Sequence, residues 1–446
     1  MKIKRLFSFF CILLAGKALC LDADVDIYRA CNAFPSREIC KKSLQKINKI
    51  KQQLDECCTD LDLKFNVLEQ EIQRLQGCGN VTPIATDNYT ITESGNYCLT
   101  ADVSGVLTIA ADNVILNLND HAINGGSTGL LINGQKNVIV QNGRIQNVDS
   151  IGLDLHGNCS SIEIKNIIFS DNSGENIINL DEVYGFRIAD CTFINNNIPS
   201  PFALIYVLNS ANGIIRSCSA YSNRFVNGII VSPGIENLLM HDVHVDNNVN
   251  RTTSVMSPFR ISGQNINVYK CTSNNNTASN SSLRNFGLYV LYDSSISECI
   301  TSNNTANSVT GFYVDSTPIR LVVESCLAIG NNGTSADGLV TFNVADSSFI
   351  NCLCSNNTSN GFLIYQSSEV NTQDCAFYGN VAVNNGTAGF SVTDTLARGN
   401  GFFSNYASSN GTNYINVPVA NIQTYTANAA SLPSNTVAWN NINVIP

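Results

Sequence analysis

The chain has 446 residues, of which 44% are apolar and only 13% charged, so it is not a disordered polar chain, and neutral polar side chains must cover much of its surface. Its formal net charge is −10, which argues against nucleic acid and anionic membrane surfaces as partners. Seventeen cysteines are spread along the whole length rather than concentrated in one framework.

Residues 1–20 have the pattern of a secretory signal. The basic start MKIKR is followed by the apolar segment LFSFFCILLAG, and cleavage is predicted after Cys20. An uncleaved anchor is the alternative. No later segment is apolar for long enough to cross a bilayer, so no stable membrane insertion is predicted after cleavage. The expected location is secreted, periplasmic or cell-surface.

Residues 21–35 form a short polar N-terminal segment. Residues 36–77 have a different amino-acid composition. Residues 36–76 contain no Gly, and Lys, Glu, Gln and Leu dominate, which predicts an amphipathic α-helix. A seven-residue apolar spacing predicts a coiled-coil-like seam formed by Ile47, Leu54, Leu61, Leu68 and Leu75. A lone helix of this kind is unstable in water, so it either forms a homo-oligomer or packs on the downstream domain.

Downstream of the helix a short phrase recurs in which an asparagine follows a cysteine by five residues, as in DCTFINN from Asp190 and ECITSNN from Glu298. Aligned on the cysteine, single repeats are 23 to 28 residues long. In three repeats Ile167, Asp242 and Asn400 take the cysteine position. A second phrase, such as GLYV or GFLI, accompanies most repeats. The predicted cysteine column comprises Cys191, Cys218, Cys271, Cys299, Cys326, Cys352 and Cys375.

Repeats of this length, rich in β-branched residues and polar bends, predict an all-β solenoid, a parallel β-helix of about twelve turns over residues 80–416. Each residue would lie over its counterpart in the next turn, about 4.8 Å away. Asparagines at the bends could then hydrogen-bond from turn to turn. Residues 417–446, which include Trp439, are predicted to cap the open end.

The cysteine column is predicted to be buried free thiols, because stacked neighbours lie farther apart than the roughly 3.8 Å between Cβ atoms of a disulfide. Four ligands do not converge on one point in such a column, so no metal site is predicted. Sequence cannot choose among the pairings of the remaining disulfide candidates. These candidates are Cys31, Cys40, Cys57, Cys58, Cys78 and Cys98.

The segments DNVILNLNDHAINGG (residues 112–126) and GLLINGQKNVIVQNGRIQN (residues 129–147), with the preceding YTITESGNYCLTADVSGVLTIA, resemble the opening coils of secreted right-handed parallel β-helix repeat proteins of the pectin-lyase-like superfamily. The resemblance covers about residues 84–416 and implies a right-handed β-helix. It implies no single activity, because the superfamily includes lyases, hydrolases, epimerases, tailspikes and adhesins.

Candidate catalytic residues are few. The Gly-His-Gly and Arg-x-Lys tripeptides of hydrolases with this fold are absent. In HDVHVD, Asp242, His244 and Asp246 share one face of a strand and are the candidate acid–base residues. His121 and His156 are interpreted as isolated. Tyr residues recur near the strand phrases, and burial between coils is the favoured interpretation. The alternative is a stripe on one face that could stack on sugar rings. These residues are Tyr206, Tyr289, Tyr292, Tyr313 and Tyr365.

The sequence therefore favours a non-catalytic binding or structural module of bacterial origin, with polysaccharide or a cell-surface component as its partner. The alternative is a polysaccharide lyase, hydrolase or epimerase. No cofactor is predicted, and calcium would enter only under that alternative. Several Asn-x-Ser/Thr triplets would carry glycans only in a eukaryotic secretory pathway.

Overall fold

The structure, a computed structural model, describes residues 81–316, 318–365, 372–393 and 400–417, together with the backbone of residues 423–425 and 442–444. The predicted signal, polar N-terminal segment and amphipathic helix lie outside the described residues. So do five of the six disulfide candidates, namely Cys31, Cys40, Cys57, Cys58 and Cys78.

The described chain is built from 39 short strands. The first thirteen are β1 (Thr82–Ile84), β2 (Thr90–Ile91), β3 (Gly95–Leu99), β4 (Val103–Ser104), β5 (Leu107–Ile109), β6 (Val114–Asn117), β7 (Ala122–Asn124), β8 (Thr128–Asn133), β9 (Lys136–Gln146), β10 (Ile151–His156), β11 (Cys159–Ser170), β12 (Ile178–Asp181) and β13 (Val183–Ala189). The next thirteen are β14 (Thr192–Ile194), β15 (Ala203–Leu208), β16 (Ala211–Tyr221), β17 (Asn227–Val231), β18 (Glu236–Val245), β19 (Val249–Asn250), β20 (Ser257–Tyr269), β21 (Thr272–Asn274), β22 (Thr277–Tyr292), β23 (Ser295–Ser297), β24 (Ile300–Ser302), β25 (Thr305–Asp315) and β26 (Val322–Glu324). The last thirteen are β27 (Leu327–Ile329), β28 (Ser335–Phe342), β29 (Ser348–Ile350), β30 (Leu353–Ser355), β31 (Phe362–Tyr365), β32 (Ala376–Tyr378), β33 (Val381–Val383), β34 (Ala388–Val392), β35 (Gly401–Phe403), β36 (Tyr406–Ser408), β37 (Thr412–Ile415), β38 (Gln423–Tyr425) and β39 (Ile442–Val444).

Each strand pairs in parallel with the strand one turn away, which confirms the predicted parallel β-solenoid, of about 12 turns. The pairings define three faces. Face 1 runs through β6, β13, β23 and β29, face 2 through β7, β14, β24 and β33, and face 3 through β8, β12, β25 and β34. Longer strands such as β11 bend at a corner and serve two faces. Within the described residues, no helix has the length and apolarity to span a membrane.

The interior is filled by columns of apolar side chains that repeat at the same position in successive turns. Phenylalanine rings stack almost parallel in several of them, with centroids 4.5 Å apart for Phe259 and Phe286 and 4.6 Å apart for Phe362 and Phe390. These distances match the strand spacing of about 4.8 Å, so the ring contacts follow from the backbone register. Ring stacking therefore supports the same alignment of turns as the backbone hydrogen bonds.

Two left-handed bends explain the recurring phrase. In DCTFINN, Asp190 and Asn195 have φ of 55° and 56°, a conformation that short polar residues tolerate. Each bend turns the chain so that the following residue, Cys191 or Asn196, points inward and is buried. Between them the strand alternates, with Phe193 inward. The phrase is thus one short strand of face 2 enclosed by two corners.

The inward asparagines form a ladder along the solenoid. Its members are Asn172, Asn196, Asn223, Asn248, Asn276, Asn304, Asn331, Asn357, Asn385 and Asn410. In most steps the Nδ2 group donates to Oδ1 of the next asparagine at 2.9 to 3.2 Å. Between Asn276 and Asn304 the Asn276 backbone N–H makes the link at 2.9 Å. Aspartate lacks the donor and glutamine is too long, so the position demands asparagine.

The glycines of the second phrase are required by close approach. A Cβ at Gly338 would lie 2.6 Å from Sγ of Cys354, and one at Gly361 would lie 3.0 Å from Cβ of Ala382. Gly338 lies within β28 and Gly361 directly precedes β31, both on face 3, and each lies close to an inward residue of face 2. A side chain there would force the two faces apart.

The register also corrects the predicted cysteine alignment. Val243, not Asp242, pairs with Cys218, and Asp242 is the bend residue before it with φ of 57°. The prediction for Cys375 is wrong, because its strand β32 pairs with β29 of face 1 and Cys375 lies beside Ser347 and Asn400. The column of aligned residues in successive turns comprises Cys191, Cys218, Val243, Cys271, Cys299, Cys326 and Cys352.

Nine described cysteines are free and buried, whereas Cys98 is disulfide-bonded. Burial raises the pKa of the Cys354 thiol well above its ordinary value of 9.0. Burial likewise raises the pKa of Cys375, to about 12. Such thiols remain protonated and unreactive in the folded protein.

Replacement of one ladder asparagine is expected to destabilise the solenoid. Asn304→Ala removes the hydrogen bonds to Asn276, Ser273 and Asn331 and leaves buried polar groups without partners. We expect the free energy of unfolding in urea to fall by about 2 to 4 kcal/mol. The control is Asn332→Ala, because Asn332 is exposed and makes no side-chain hydrogen bond among the described residues. Equal losses in both variants would contradict a structural role for the ladder.

The buried thiol of Cys375 predicts a pH dependence of stability. Its pKa is raised on folding, so its contribution is fully present below pH 9 and is lost as pH rises from 9 towards 12, because the unfolded thiol ionises first. Between pH 8 and 10.5, in the presence of reductant, wild-type protein should lose about 2 kcal/mol more unfolding free energy than Cys375→Ala. Identical slopes for the two proteins would show that this thiol titrates normally.

Candidate functional site

The predicted acid–base residues lie along face 2, from the bend at Asp242 through His244 to Asp246 at the end of the strand. Nε2 of His244 lies 3.1 Å from Oδ1 of Asp242, and Nδ1 of His244 lies 2.9 Å from Oγ1 of Thr272. The Thr272 hydroxyl also donates to the Asp246 carboxylate at 2.9 Å, and the Asn274 backbone N–H donates to the same carboxylate at 2.6 Å. Thus all three predicted residues belong to one hydrogen-bonded cluster.

The hydrogen-bonding groups of this cluster are occupied by one another rather than open to a substrate. Both ring nitrogens of His244 have protein partners, so neither is left to exchange a proton with a ligand. Asp246 is engaged by a hydroxyl and a backbone amide, which is a structural role at the start of the next turn. Within the described part of the chain, no three His, Cys, Asp or Glu side chains converge to hold a metal ion.

The outer surface of face 3 gathers four of the five predicted tyrosines. Tyr206 and Tyr313 belong to one outward column, and Tyr289 and Tyr365 to the next column on the same strands. The fifth, Tyr292, lies at the corner leading to face 1. Seven successive turns, from β15 to β31, therefore carry these four tyrosines on one face.

The centre of this surface is an aromatic–guanidinium cluster of Arg284, Tyr289, Tyr313 and Asp315. Nη1 of Arg284 donates to the Tyr289 hydroxyl at 2.9 Å, and the guanidinium carbon lies 3.9 Å from the Tyr313 ring centroid. The Tyr313 hydroxyl donates to Oδ2 of Asp315 at 3.0 Å. Gly287 makes room for the Tyr289 ring, because a Cβ there would lie 2.7 Å from the ring.

Burial and neighbouring groups shift the pKa of Arg284 and the pKa of Tyr313. Burial acts to lower the pKa of Arg284, but Tyr289, Tyr313 and Asp315 together raise it above its ordinary value. Burial raises the pKa of Tyr313 to about 12, against the opposing influence of Arg284. At neutral pH the Arg284 guanidinium is therefore charged and the Tyr313 phenol is neutral.

The surface extends in both directions from this cluster. Towards the N-terminal side, the exposed Arg260 guanidinium lies 5.6 Å from the Tyr289 ring centroid and makes no ion pair among the described residues. Towards the C-terminal side, the Phe342 and Tyr365 rings meet edge to face at 5.4 Å. Sequence reasoning missed the arginines. The contacts of Arg260 with Tyr289 and of Arg284 with Tyr313 join residues of different turns.

Two histidines interpreted as isolated also have partners. Nδ1 of His156 lies 3.2 Å from Oδ2 of Asp154, and Nδ1 of His121 lies 3.4 Å from Oδ1 of Asp102. The alternation in GLDLHG was a usable signal for the first pair, since residues two apart on a strand share a face. This pair lies on face 3, on the N-terminal side of the tyrosines.

No protein-family model and no curated protein matches the chain. Among solved structures it is similar to the A-module of the Azotobacter vinelandii mannuronan C-5 epimerase AlgE4, with 12% identity, a TM-score of 0.33, and coverage of 72% of this chain and 87% of that chain. It is also similar to the periplasmic alginate epimerase AlgG, with 12% identity, a TM-score of 0.33, and coverage of 75% and 74%. A third is the tailspike protein of Escherichia coli bacteriophage HK620 in complex with a pentasaccharide, with 11% identity, a TM-score of 0.29, and coverage of 74% and 67%. At these identities the similarity concerns the architecture alone and assigns no activity to this chain.

Proposed function

We propose that the protein binds a polysaccharide chain along face 3, as a secreted or cell-surface β-solenoid. The observation that carries the proposal is the cluster of Arg284, Tyr289 and Tyr313, whose side chains are fixed by one another at the surface. Rings held in place lose little conformational entropy when a ligand stacks on them, which favours binding. Sugar rings present apolar C–H faces to aromatic rings and hydroxyl groups to the polar rim.

The dimensions fit an extended ligand. From Tyr206 to the strand of Tyr365 the outward columns span six turns, or roughly 29 Å at the usual strand spacing. In the column of Tyr206 and Tyr313, the exposed guanidinium of Arg260 lies between the two rings. A linear oligosaccharide can therefore contact several subsites at once, which raises the affinity of individually weak contacts.

A second candidate function is polysaccharide processing, which the Asp154–His156 pair on the same face favours. The roles of Asp242, His244 and Asp246 as acid–base residues would require their cluster to open. Oligomerisation through residues 36–77 would bring several such faces together and stays part of this proposal.

Loss of the aromatic rings should weaken polysaccharide binding without unfolding the protein. We expect Tyr289→Ala and Tyr313→Ala each to raise Kd by about 3- to 10-fold, because each removes one stacking platform. Affinity electrophoresis in gels that contain individual soluble polysaccharides would measure the change. The matched control is Tyr378→Ala, whose side chain is 51% exposed on face 1.

Circular dichroism would establish that the variants are folded. Binding that is unaffected by both face 3 variants, or reduced equally by Tyr378→Ala, would contradict a ligand site on this face. If none of the polysaccharides slows the migration of the wild-type protein in the gel, the proposed function itself is contradicted.

A further inference from the structure

A second polar group lies on face 3, on the N-terminal side of the tyrosines. Strand β10 contributes Asp154 and His156, and β12 contributes Asn179 and Asp181. Asp154 pairs in register with Asn179, and Leu155 with Leu180, so Asp181 lies one rung from His156. All four side chains are partly exposed on the outer side of the sheet.

The Asp154 carboxylate orients the imidazole of His156. Its Oδ2 lies 3.2 Å from Nδ1, while Oδ1 accepts a hydrogen bond of 2.8 Å from Nδ2 of Asn179. The Asp154 side chain is 16% exposed and that of His156 is 37% exposed. A carboxylate fixed in this way favours the tautomer with the proton on Nδ1, which leaves the lone pair of Nε2 for a reacting group.

His156 differs from the other described histidines that contact carboxylates. Nε2 of His156 makes no hydrogen bond within the described chain, whereas both ring nitrogens of His244 are engaged. His121 faces Asp102, whose side chain is 67% exposed and also accepts the Ala122 backbone N–H. Only His156 combines a shielded carboxylate partner with an open ring nitrogen.

A second carboxylate is within reach on the next rung. Oδ1 of Asp181 accepts a hydrogen bond of 3.1 Å from Nδ2 of Asn209, which fixes one of its oxygens and leaves the other outward. The neighbouring positions of the two outward columns are uncharged: Leu131 and Asn133 in the turn before, Tyr206 and Leu208 in the turn after. The patch thus offers a base and an acid, but no cationic side chain.

No cationic side chain lies in these two columns in the turn before or the turn after the patch, and Arg260 enters the first column only two turns after Tyr206. This local lack of a cation bears on the reaction. Elimination or epimerisation of a uronate builds negative charge on the sugar carboxylate, which needs a positive group to stabilise it. Hydrolysis of a glycosidic bond between neutral sugars develops positive charge at the anomeric carbon instead, and carboxylates stabilise that charge. The chemistry of the patch therefore favours hydrolysis of a neutral glycan.

We propose that Asp154, His156 and Asp181 form a general acid–base site that hydrolyses a glycosidic bond of the polysaccharide bound on face 3, an inference that rests on the proposed function. Nε2 of His156 removes a proton from water, and the water oxygen bonds to the anomeric carbon. The bond from that carbon to the glycosidic oxygen breaks, and this oxygen takes the proton of the Asp181 carboxylic acid. The proton on His156 returns to Asp181 through solvent. His156 and Asp181 are catalytic residues, and Asp154 is a positioning residue.

The test uses the full chain with dextran, xylan, mannan, an α-1,3-glucan and alginate, and measures binding and new reducing ends separately. We expect reducing ends to appear with at least one neutral glycan that the protein binds. His156→Ala should lower kcat by about 100-fold or more while Kd changes less than twofold. Asp154→Asn should lower kcat and shift its pH profile, which a merely structural role would not do. His121→Ala is the matched control and should retain kcat within twofold.

The outcomes separate this inference from the proposed function. Binding without any product overturns the hydrolytic site and leaves polysaccharide binding intact, whereas absence of binding to all five polymers removes both. Unsaturated ends from alginate, or loss of activity in His244→Ala rather than in His156→Ala, also overturn the site assigned here. His156→Asn provides a second test if His156→Ala does not fold.

Discussion

Vertical register is the constraint on which the rest of the structure depends. A buried amide must find partners or it destabilises the fold, and here each ladder asparagine finds them only when the next turn is in register. A slip by one residue would turn every inward side chain outward. The ladder therefore fixes both the stacking of turns and the inside and outside of each face, including the outward columns of face 3.

With the interior fixed in this way, the outer columns are free to carry function. On face 3, Arg284 hydrogen-bonds to Tyr289 of its own strand and also packs against the ring of Tyr313 in the next turn, so the cluster depends on two successive turns. The Asp154–Asn179 hydrogen bond joins two further turns of the same face. A ligand surface on a solenoid is thus assembled across repeats, while the repeats themselves are defined by buried residues.

The sequence predicts the solenoid well because its signal is physical and local. A bend residue, an inward Cys and an inward Asn recur since each corner demands them. An alignment of the repeats on their cysteines alone is wrong at two positions. Val243 fills a cysteine position because any compact apolar group fits there, and Cys375 belongs to a different corner although its spacing resembles the others. The recurrence of tyrosines near the strand phrases is visible in the sequence. Their common direction on face 3, the contact of Arg284 with Tyr313 and the proposed role of His156 depend instead on which side chains meet in three dimensions.

The asparagine array is also self-terminating. At its first rung the Asn172 Oδ1 is already occupied by the Val148 backbone N–H, and at its last the Asn410 amide donates to Asn413 of its own turn at 3.1 Å. Neither extremity presents a vacant amide to another molecule. This row of buried amides therefore supplies no template for end-to-end polymerisation, a hazard to which stacked β-structures are otherwise prone.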